Sequence, residues 1–158
     1  MLVGGVGLLA VAGGGWYVFL RGDDPEAAVE AYFTALDEAD AERAEGAVHP
    51  DSRIVVYTDY WEDEDPNEFN VDVHEIEERG VEEAIREQWD IEGEALEEEV
   101  ERTREDLDAL RDEHDLDDYA YVYYDITTEG PEYGGYEQEG HILTVEDDGE
   151  WYVWSWIY

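Results

Sequence analysis

Residues 118–158 read DYAYVYYDITTEGPEYGGYEQEGHILTVEDDGEWYVWSWIY, and this stretch decides the fold. Three runs within it, at 118–128, 136–146 and 150–158, are rich in β-branched and aromatic residues, which indicates β-strands. The tripeptide DDG at 147–149 separates the last two runs and is typical of a tight hairpin turn with a positive φ at the glycine. The C-terminal part of the chain is therefore predicted to form an antiparallel sheet.

Both faces of this predicted sheet are apolar. A sheet with one solvated face would carry polar residues at every second position. We therefore expect the second face to be covered, either by a long acidic helix of this chain or by a second protomer. In the first strand Ala120, Val122, Tyr124 and Ile126 are assigned to one face and Tyr119, Tyr121 and Tyr123 to the other; in the last strand Trp151, Val153 and Ile157 share a face, opposite Tyr152, Trp154, Trp156 and Tyr158.

Helix signals precede the strands in the chain. Asp24 and Pro25 are typical of an N-cap and of a first helical position. The apolar residues that follow recur at helical spacing, which predicts an amphipathic helix. Asp40 is expected to cap a second, short helix at 41–48. The apolar stripe of the first helix consists of Val29, Tyr32, Phe33 and Leu36.

The middle of the chain changes its pattern twice. Residues 53–61 (RIVVYTDYW) predict a strand, and the alternation of apolar and polar residues at 69–73 predicts a second strand with one solvated face. Residues 81–114 then predict a long acidic helical region. The sequence IEG at 91–93 is expected to divide that region into two helices.

Three segments carry a resemblance to a known family: DPEAAVEAYFTALDEAD at 24–40, AVHPDS at 47–52 and EDDGEWYVW at 146–154. Their order resembles the nuclear transport factor 2-like superfamily, which includes SnoaL-like and ketosteroid isomerase-like domains. The resemblance implies an α+β fold in which a cone-shaped, curved antiparallel sheet wraps the N-terminal helix. The region at about 80–116 departs from the pattern and is interpreted as a long acidic helical insertion.

The charge of the chain is extreme. It has 47 acidic and 8 basic residues and a formal net charge of −39, and all of its basic residues are arginines. This charge excludes nucleic acid as a partner, because nucleic-acid binding needs a basic surface. A hydrophobic fraction of 43%, with 12 Tyr and 6 Trp, argues against an acidic disordered chain.

The composition also indicates a habitat. A domain with this charge repels itself in dilute buffer, whereas at molar salt the screening length falls to about 3 Å. The sequence therefore predicts a halophilic protein and resembles haloarchaeal proteins; an acidic protein from an ordinary environment is the alternative. The absence of cysteine excludes disulfides and Cys-based zinc sites. No cofactor and no metal site are predicted.

Residues 2–20 contain no charge and no proline, and as a helix they would span about 28 Å, close to the thickness of a membrane core. Residues 1–21 are predicted to be a transmembrane anchor or an uncleaved signal in contact with membrane lipid. A signal peptide cleaved near 10–12 is the alternative. The acidic domain at 22–158 would then lie outside the cell, on a single-pass membrane protein. The anchoring residues are Leu2, Leu8, Leu9, Trp16, Tyr17, Phe19 and Leu20.

The resemblance also suggests where catalysis would occur. Enzymes of the superfamily use an Asp or His together with tyrosines inside the cone, and a carboxyl in an apolar pocket would have a raised pKa and serve as a base. Solvent-facing acids and structural tyrosines explain the same residues without catalysis, so a non-enzymatic protein is favoured. The candidates are Asp59, His74, Asp125 and His141 for acid–base chemistry and Tyr32, Tyr57 and Tyr123 as hydrogen-bond donors.

The aromatic residues of the last strands suggest a ligand pocket, a homodimer interface or ordinary core packing. The sequence as a whole predicts a membrane-tethered, halophilic, non-catalytic binding or assembly domain. The alternatives are an isomerase- or dehydratase-type enzyme of the same fold and a small accessory subunit of a membrane protein complex. The candidate ligand or interface residues are Tyr119, Tyr121, Tyr123, Tyr152, Trp154 and Trp156.

Transfer from molar salt to dilute buffer is predicted to unfold the domain, because a net charge of −39 is then no longer screened. The measurement is the far-ultraviolet circular dichroism of the purified chain during dialysis, with the signal recovered when salt is restored. A native spectrum in dilute buffer would contradict the halophilic interpretation.

Overall fold

The computed structural model describes residues 23–54, 70–129 and 135–157. The predicted anchor at 1–21 and most of the predicted strand at 53–61 lie outside these residues. Within the described part of the chain, no helix is both long and apolar enough to cross a bilayer.

The described residues form an α+β fold, as the sequence predicts. Its strands make one antiparallel sheet in the order β1-β2-β3-β4, so that strands adjacent in this order are hydrogen-bonded neighbours. In chain order the elements are α1 (Pro25–Asp37), α2 (Ala41–Gly46), β1 (Asn70–Arg79), α3 (Val81–Trp89), α4 (Glu94–His114), β2 (Asp118–Glu129), β3 (Tyr136–Asp147) and β4 (Glu150–Ile157).

Both predicted helix N-caps are confirmed. The carboxylate of Asp24 accepts the backbone N–H of Ala27 at 2.7 Å, and that of Asp40 accepts the N–H of Arg43 at 3.0 Å. Each bond satisfies a backbone donor that has no partner inside the helix. Helix α2 ends at Gly46, earlier than predicted, because the following residues turn to bridge β4.

The acidic helical region is divided in two, also as predicted. Helix α3 ends at Trp89 and is capped by Asp90, whose φ is 50°, and α4 begins after Gly93, whose φ is 64°. Positive φ is unfavourable for most residues, so two such positions in one short linker end the first helix and re-aim the second. The turn between β3 and β4 also contains two residues with positive φ, 52° at Asp148 and 78° at Gly149.

One face of the sheet packs against α1. The ring of Phe33 lies at the centre of this packing, with its centroid 5.3 Å from that of Tyr124 and 6.0 Å from that of Trp156. Phe33 has 1% of its surface exposed. Burying a side chain of this size contributes about 1.5–3 kcal/mol. The other buried members of this core include Val29, Ala35, Val48, Val71, Val122, Ile126, Ile142 and Val153.

Helices α3 and α4 lie on the opposite face. Ala84 of α3 and Leu107 of α4 form one buried cluster with Tyr121 and Leu143 of the sheet. The sequence predicted that this face is covered either by the acidic helical region of the same chain or by a second protomer. In the structure the acidic helical region covers it. The helices carry their acidic residues outward and their few apolar residues inward, as an amphipathic cover requires.

A β-bulge in β4 changes the predicted assignment of faces. Leu143 pairs with Ser155 and Thr144 pairs with Val153, so Trp154 is an extra residue without an opposite partner in β3. One extra residue shifts the alternation of every side chain that follows. Trp156 therefore joins Val153 on the α1 face, and Ile157 lies with Tyr121 under α3 and α4. The predicted faces are wrong for these last two residues.

The outer edge of β1 is held by carboxylates of α1. The N–H of Val71 donates to Asp37 Oδ1 at 2.8 Å, and the N–H of Glu78 donates to Glu26 Oε1 at 2.9 Å. Asp37 lies in the last turn of α1 and Glu26 in its first, so the helix is fixed to the strand at both ends. Edge strands expose backbone groups that other chains can pair with, and these two bonds occupy part of that edge.

The outer edge of β4 is covered by the segment after α2. The N–H of His49 donates to the carbonyl of Val153 at 3.0 Å, and the N–H of Val153 donates to the carbonyl of Ala47 at 2.9 Å. The hydroxyl of Ser52 donates to the carbonyl of Trp154 at 2.5 Å. These bonds reach the bulged residue and the residue before it, so the chain after α2 contacts β4 directly at the bulge.

Replacing Asp37 with Ala is expected to lower the free energy of unfolding by about 1–2 kcal/mol, because the half-buried N–H of Val71 loses a charged acceptor. Glu30→Ala is the matched control: Glu30 is an exposed acid of the same helix, and its removal is expected to change stability by less than about 0.5 kcal/mol. Equal melting of both variants at molar salt would show that the bond does not hold α1 to the sheet.

Candidate functional site

A polar cleft of about 510 Å³ opens on the face of the sheet that carries α3, beyond the apolar cluster under the two helices. It lies where the ends of β1 and α3 meet the middle of β2 and β3. Its walls combine carboxylates with a guanidinium, an imidazole, an amide and a phenol. The lining residues are Glu75, Arg79, Glu87, Gln88, Tyr123, Glu139, Gly140 and His141.

Tyr123 and His141 form the floor of the cleft. They are directly opposed in the β2–β3 register, and their ring centroids are 5.5 Å apart in an edge-to-face arrangement. Opposed residues of antiparallel strands project from the same face of a sheet. The pairing of the two strands therefore brings together two residues that are distant in sequence.

His141 is buried and contacts oxygens of α3 with both ring nitrogens. Its Nε2 is 3.1 Å from Glu87 Oε2, and its Nδ1 is 3.3 Å from Gln88 Oε1. Burial lowers the pKa of the His141 imidazole below its usual 6.5, and the carboxylate of Glu87 opposes this effect. The neutral ring is therefore favoured near neutral pH. Because the carboxylate of Glu87 and the amide oxygen of Gln88 are both acceptors, only the protonated nitrogen of the neutral ring donates a hydrogen bond to them.

Tyr123 carries the second polar group of the floor. Its hydroxyl donates to Glu139 Oε2 at 3.1 Å. Burial and the neighbouring carboxylate of Glu139 raise the pKa of Tyr123 to about 12, since both disfavour a phenolate. The phenol thus stays protonated at any physiological pH and acts as a hydrogen-bond donor.

Arg79, the last residue of β1, closes one side of the cleft. Its Nη1 is 2.5 Å from Glu77 Oε2 and its Nε is 3.6 Å from Glu87 Oε2. Its guanidinium carbon lies 5.3 Å from the centroid of the Tyr123 ring, within cation–π range. The pKa of Arg79 is raised by its hydrogen bond to Glu77, and the pKa of Glu77 is lowered by the same contact.

Among the predicted acid–base residues, the structure brings only Tyr123 and His141 into this cleft. Asp125 lies two residues beyond Tyr123 on the same strand face, and its charge contributes to the raised pKa of the phenol. His74 lies next to the bulge in β1, where its Nε2 is 2.7 Å from Thr127 Oγ1, and does not line the cleft. Asp59 and Tyr57 lie outside the described residues. Tyr32 packs on the other face of the sheet, against Trp156.

The aromatic candidates for an interface lie in several places. Tyr121 and Tyr152 are buried inside the domain, and Tyr119 packs beside them, half-buried. Trp156 belongs to the core under α1. Trp154 lies between two imidazoles, with centroids 5.0 Å from His49 and 4.9 Å from His114.

His49 forms a separate, structural cluster. Its Nδ1 accepts the N–H of Asp51 at 3.1 Å, so its Nε2 carries the proton and donates to Asp147 Oδ2 at 3.3 Å. The buried ring packs edge-on against Tyr152. These contacts tie the chain after α2 to the β3–β4 hairpin.

Sequence reasoning missed the carboxylates and the amide that surround the floor. Glu139 lies two residues before His141, so the alternation of strand side chains would have placed both on one face. Arg79 ends β1, and its approach to Tyr123 depends on the pairing of β1 with β2. Glu87 and Gln88 reach His141 only because α3 docks on the sheet, which no local pattern predicts.

The described residues contain no group of three or more His, Asp or Glu side chains placed to bind a metal ion. Comparison of the chain with protein families, with curated proteins and with solved structures finds no match. The resemblance to the nuclear transport factor 2-like superfamily, and the cone shape that it implies, therefore remain predictions.

Replacing His141 with Gln is expected to flatten the pH dependence of stability below about pH 6.5. An unfolded histidine binds its proton more readily than the buried ring does, so acid favours the unfolded chain and stability falls as the pH decreases through this range. The measurement is the unfolding free energy at molar salt between pH 5 and 8 for the parent and the variant.

His74→Gln serves as the control, because this exposed histidine contacts Thr127 and does not line the cleft. We expect its pH profile to follow that of the parent. A His141→Gln profile that runs parallel to the parent's would show that the imidazole is not held in its neutral form.

Proposed function

We propose that the protein is a membrane-tethered, halophilic, non-catalytic binding domain whose ligand occupies the cleft over Tyr123 and His141. The observation that carries this proposal is the contrast between the two faces of the sheet. Among the described residues, the centre of one face is packed by apolar side chains, whereas the other face holds a polar cleft of about 510 Å³ over Tyr123 and His141.

In the part of the chain that the structure describes, apolar side chains fill the centre of the packing between α1 and the sheet. Val29 and Val153 are fully buried, and Phe33 has 1% of its surface exposed. In the superfamily that the sequence resembles, catalysis would take place between this helix and the sheet. The packed aromatic rings of Phe33, Tyr124 and Trp156 occupy that space here, which favours binding at the opposite face over catalysis inside a cone.

The polar groups of the cleft are engaged with one another. Both nitrogens of His141 contact oxygens of α3, and the hydroxyl of Tyr123 donates to Glu139. A general base must reach a substrate proton, and a phenol with a pKa of about 12 is a poor base at neutral pH. Groups held in this way are better suited to recognising a ligand by hydrogen bonds and charge than to transferring its protons.

An acid–base isomerase or dehydratase of the resembling fold is the second candidate. It is favoured by the lowered pKa of His141, which leaves a neutral imidazole next to a phenol donor in an open cleft. It is less well supported because the imidazole is 2% exposed and its two nitrogens are already in contact with Glu87 and Gln88.

The location of the domain rests on the sequence. The uncharged residues 2–20 support a single-pass anchor in the cell membrane, with the acidic domain outside the cell and in contact with molar salt. A second copy of the chain or a larger membrane complex remains part of the proposal as an assembly partner. The cleft lies on the surface of the domain and is open to small ligands from the surrounding medium.

The proposed function is tested by titrating the full-length chain, in detergent at molar salt, with butylammonium, butyrate and butyramide. These probes are of similar size, each with a short alkyl chain, and their head groups are cationic, anionic and neutral. We expect the NMR signals of the Tyr123 and His141 rings to shift saturably with at least one probe, while the ring signals of Phe33, on the other face, stay unchanged.

Recovery of every probe in its original chemical form is expected for a binding domain. If none of the three probes shifts the Tyr123 and His141 signals, or if Phe33 responds equally, the proposed binding site is wrong.

A further inference from the structure

We infer that the ligand of the cleft is an organic cation: a primary ammonium group carried on an apolar body. This inference rests on the proposed function, because it names the class of ligand for the same site. Three observations around Tyr123 support it: the surplus of carboxylate acceptors, the aromatic ring, and the guanidinium of Arg79 that already lies over that ring.

The cleft has more acceptors than cations. Three glutamates line it, from β1, α3 and β3, against one arginine. Arg79 is already paired with Glu77, outside the lining residues, and has 14% of its side chain exposed. The Nε–H of Arg79 has no hydrogen-bond partner among the described residues, but it is buried, and the surplus of carboxylates in the lining repels an anionic ligand and attracts a cation.

The oxygens at the rim keep capacity to accept hydrogen bonds. Glu139 receives the hydroxyl of Tyr123 on Oε2, and Glu87 faces His141 with Oε2. Each carboxylate offers about four lone-pair sites, so both glutamates retain positions for further donors. The side chain of Glu87 is 41% exposed, which leaves it accessible from the cleft. An ammonium group carries three donors and matches several single acceptors.

The cleft already holds one organic cation, contributed by the chain itself. The guanidinium of Arg79 lies over the ring of Tyr123 while its Nη1 is bound by Glu77, and the carboxylate of Glu87 is 3.6 Å from its Nε. The combination of an aromatic ring with flanking carboxylates is the arrangement that stabilises alkylammonium and guanidinium groups. The environment around Tyr123 is therefore already adapted to a nitrogen cation that is larger than a metal ion.

A bare inorganic cation fits this arrangement less well. The three lining glutamates come from three different elements, and among the described residues they do not form a group that could surround a metal ion. At molar salt, sodium or potassium is in large excess, so charge alone cannot select a ligand. Directional N–H donors and an apolar body that packs on Tyr123 add selectivity that a simple ion lacks.

The same set of probes tests this inference. We expect butylammonium to shift the NMR signals of Tyr123 and His141 in the full-length chain at concentrations at least about tenfold lower than butyrate or butyramide. A tenfold difference in affinity is the size expected from charge-assisted hydrogen bonding of the ammonium group. Tetramethylammonium, which has the charge but no N–H donor, is expected to bind more weakly than butylammonium.

Glu139→Gln keeps the shape of the side chain and removes its charge, and it is expected to weaken butylammonium binding about tenfold. Glu98→Gln is the matched control, because Glu98 is an exposed acid of α4 that does not line the cleft. We expect it to leave binding unchanged. A melting curve of each variant at molar salt verifies that the fold is retained.

The outcomes separate the inference from the function on which it rests. Saturable binding of butyrate or butyramide in the cleft, without butylammonium, would overturn the cationic ligand and retain the binding domain. Equal binding of tetramethylammonium, or an unchanged affinity in Glu139→Gln, would also overturn it. Failure of all probes would overturn both.

Discussion

The structure depends on a sheet that is apolar on both faces. Val122, Tyr124 and Ile142 point to one side, and Tyr121 and Leu143 point to the other, so neither side can be left in water. One amphipathic helix covers the first side and a pair of acidic helices covers the second. The position of the cleft follows from where the pair of acidic helices ends, and the bonds at the edge of β1 follow from how α1 is attached.

The cleft is a consequence of the incomplete second cover. Helix α3 is short and ends at Trp89, while the strands beneath it continue beyond its last turn. At that boundary the sheet changes from apolar residues to Tyr123, His141 and Glu139, and α3 contributes polar rather than apolar side chains. The polar site therefore lies next to a well-packed core, which fixes the strands that carry its floor. In an environment of molar salt, such a partly enclosed site preserves electrostatic selectivity that an exposed carboxylate loses by screening.

The sequence predicted the elements of the fold well and their long-range fit less well. Asp24, Asp40 and the DDG turn at 147–149 act within a few residues, so their effects could be predicted from local chemistry. The bulge at Trp154 could not, because the chain after α2 bonds to the backbone of Val153 and of Trp154 itself. Tyr123 and His141 were recognisable from the sequence as candidates. Their neighbours Arg79 and Glu87 were not, because strand pairing brings Arg79 to Tyr123 and the docking of α3 brings Glu87 to His141.

The attachment of α1 shows that the acids of this chain are not interchangeable. Glu26 and Asp37 face backbone N–H groups of β1, where a lysine would place one donor against another. A surface redesign that exchanges acids for lysines to lower the net charge must therefore spare these two positions. The number of carboxylates that can be exchanged is therefore smaller than the formal charge suggests. Hydrogen bonds to backbone N–H groups, rather than solubility, set this limit.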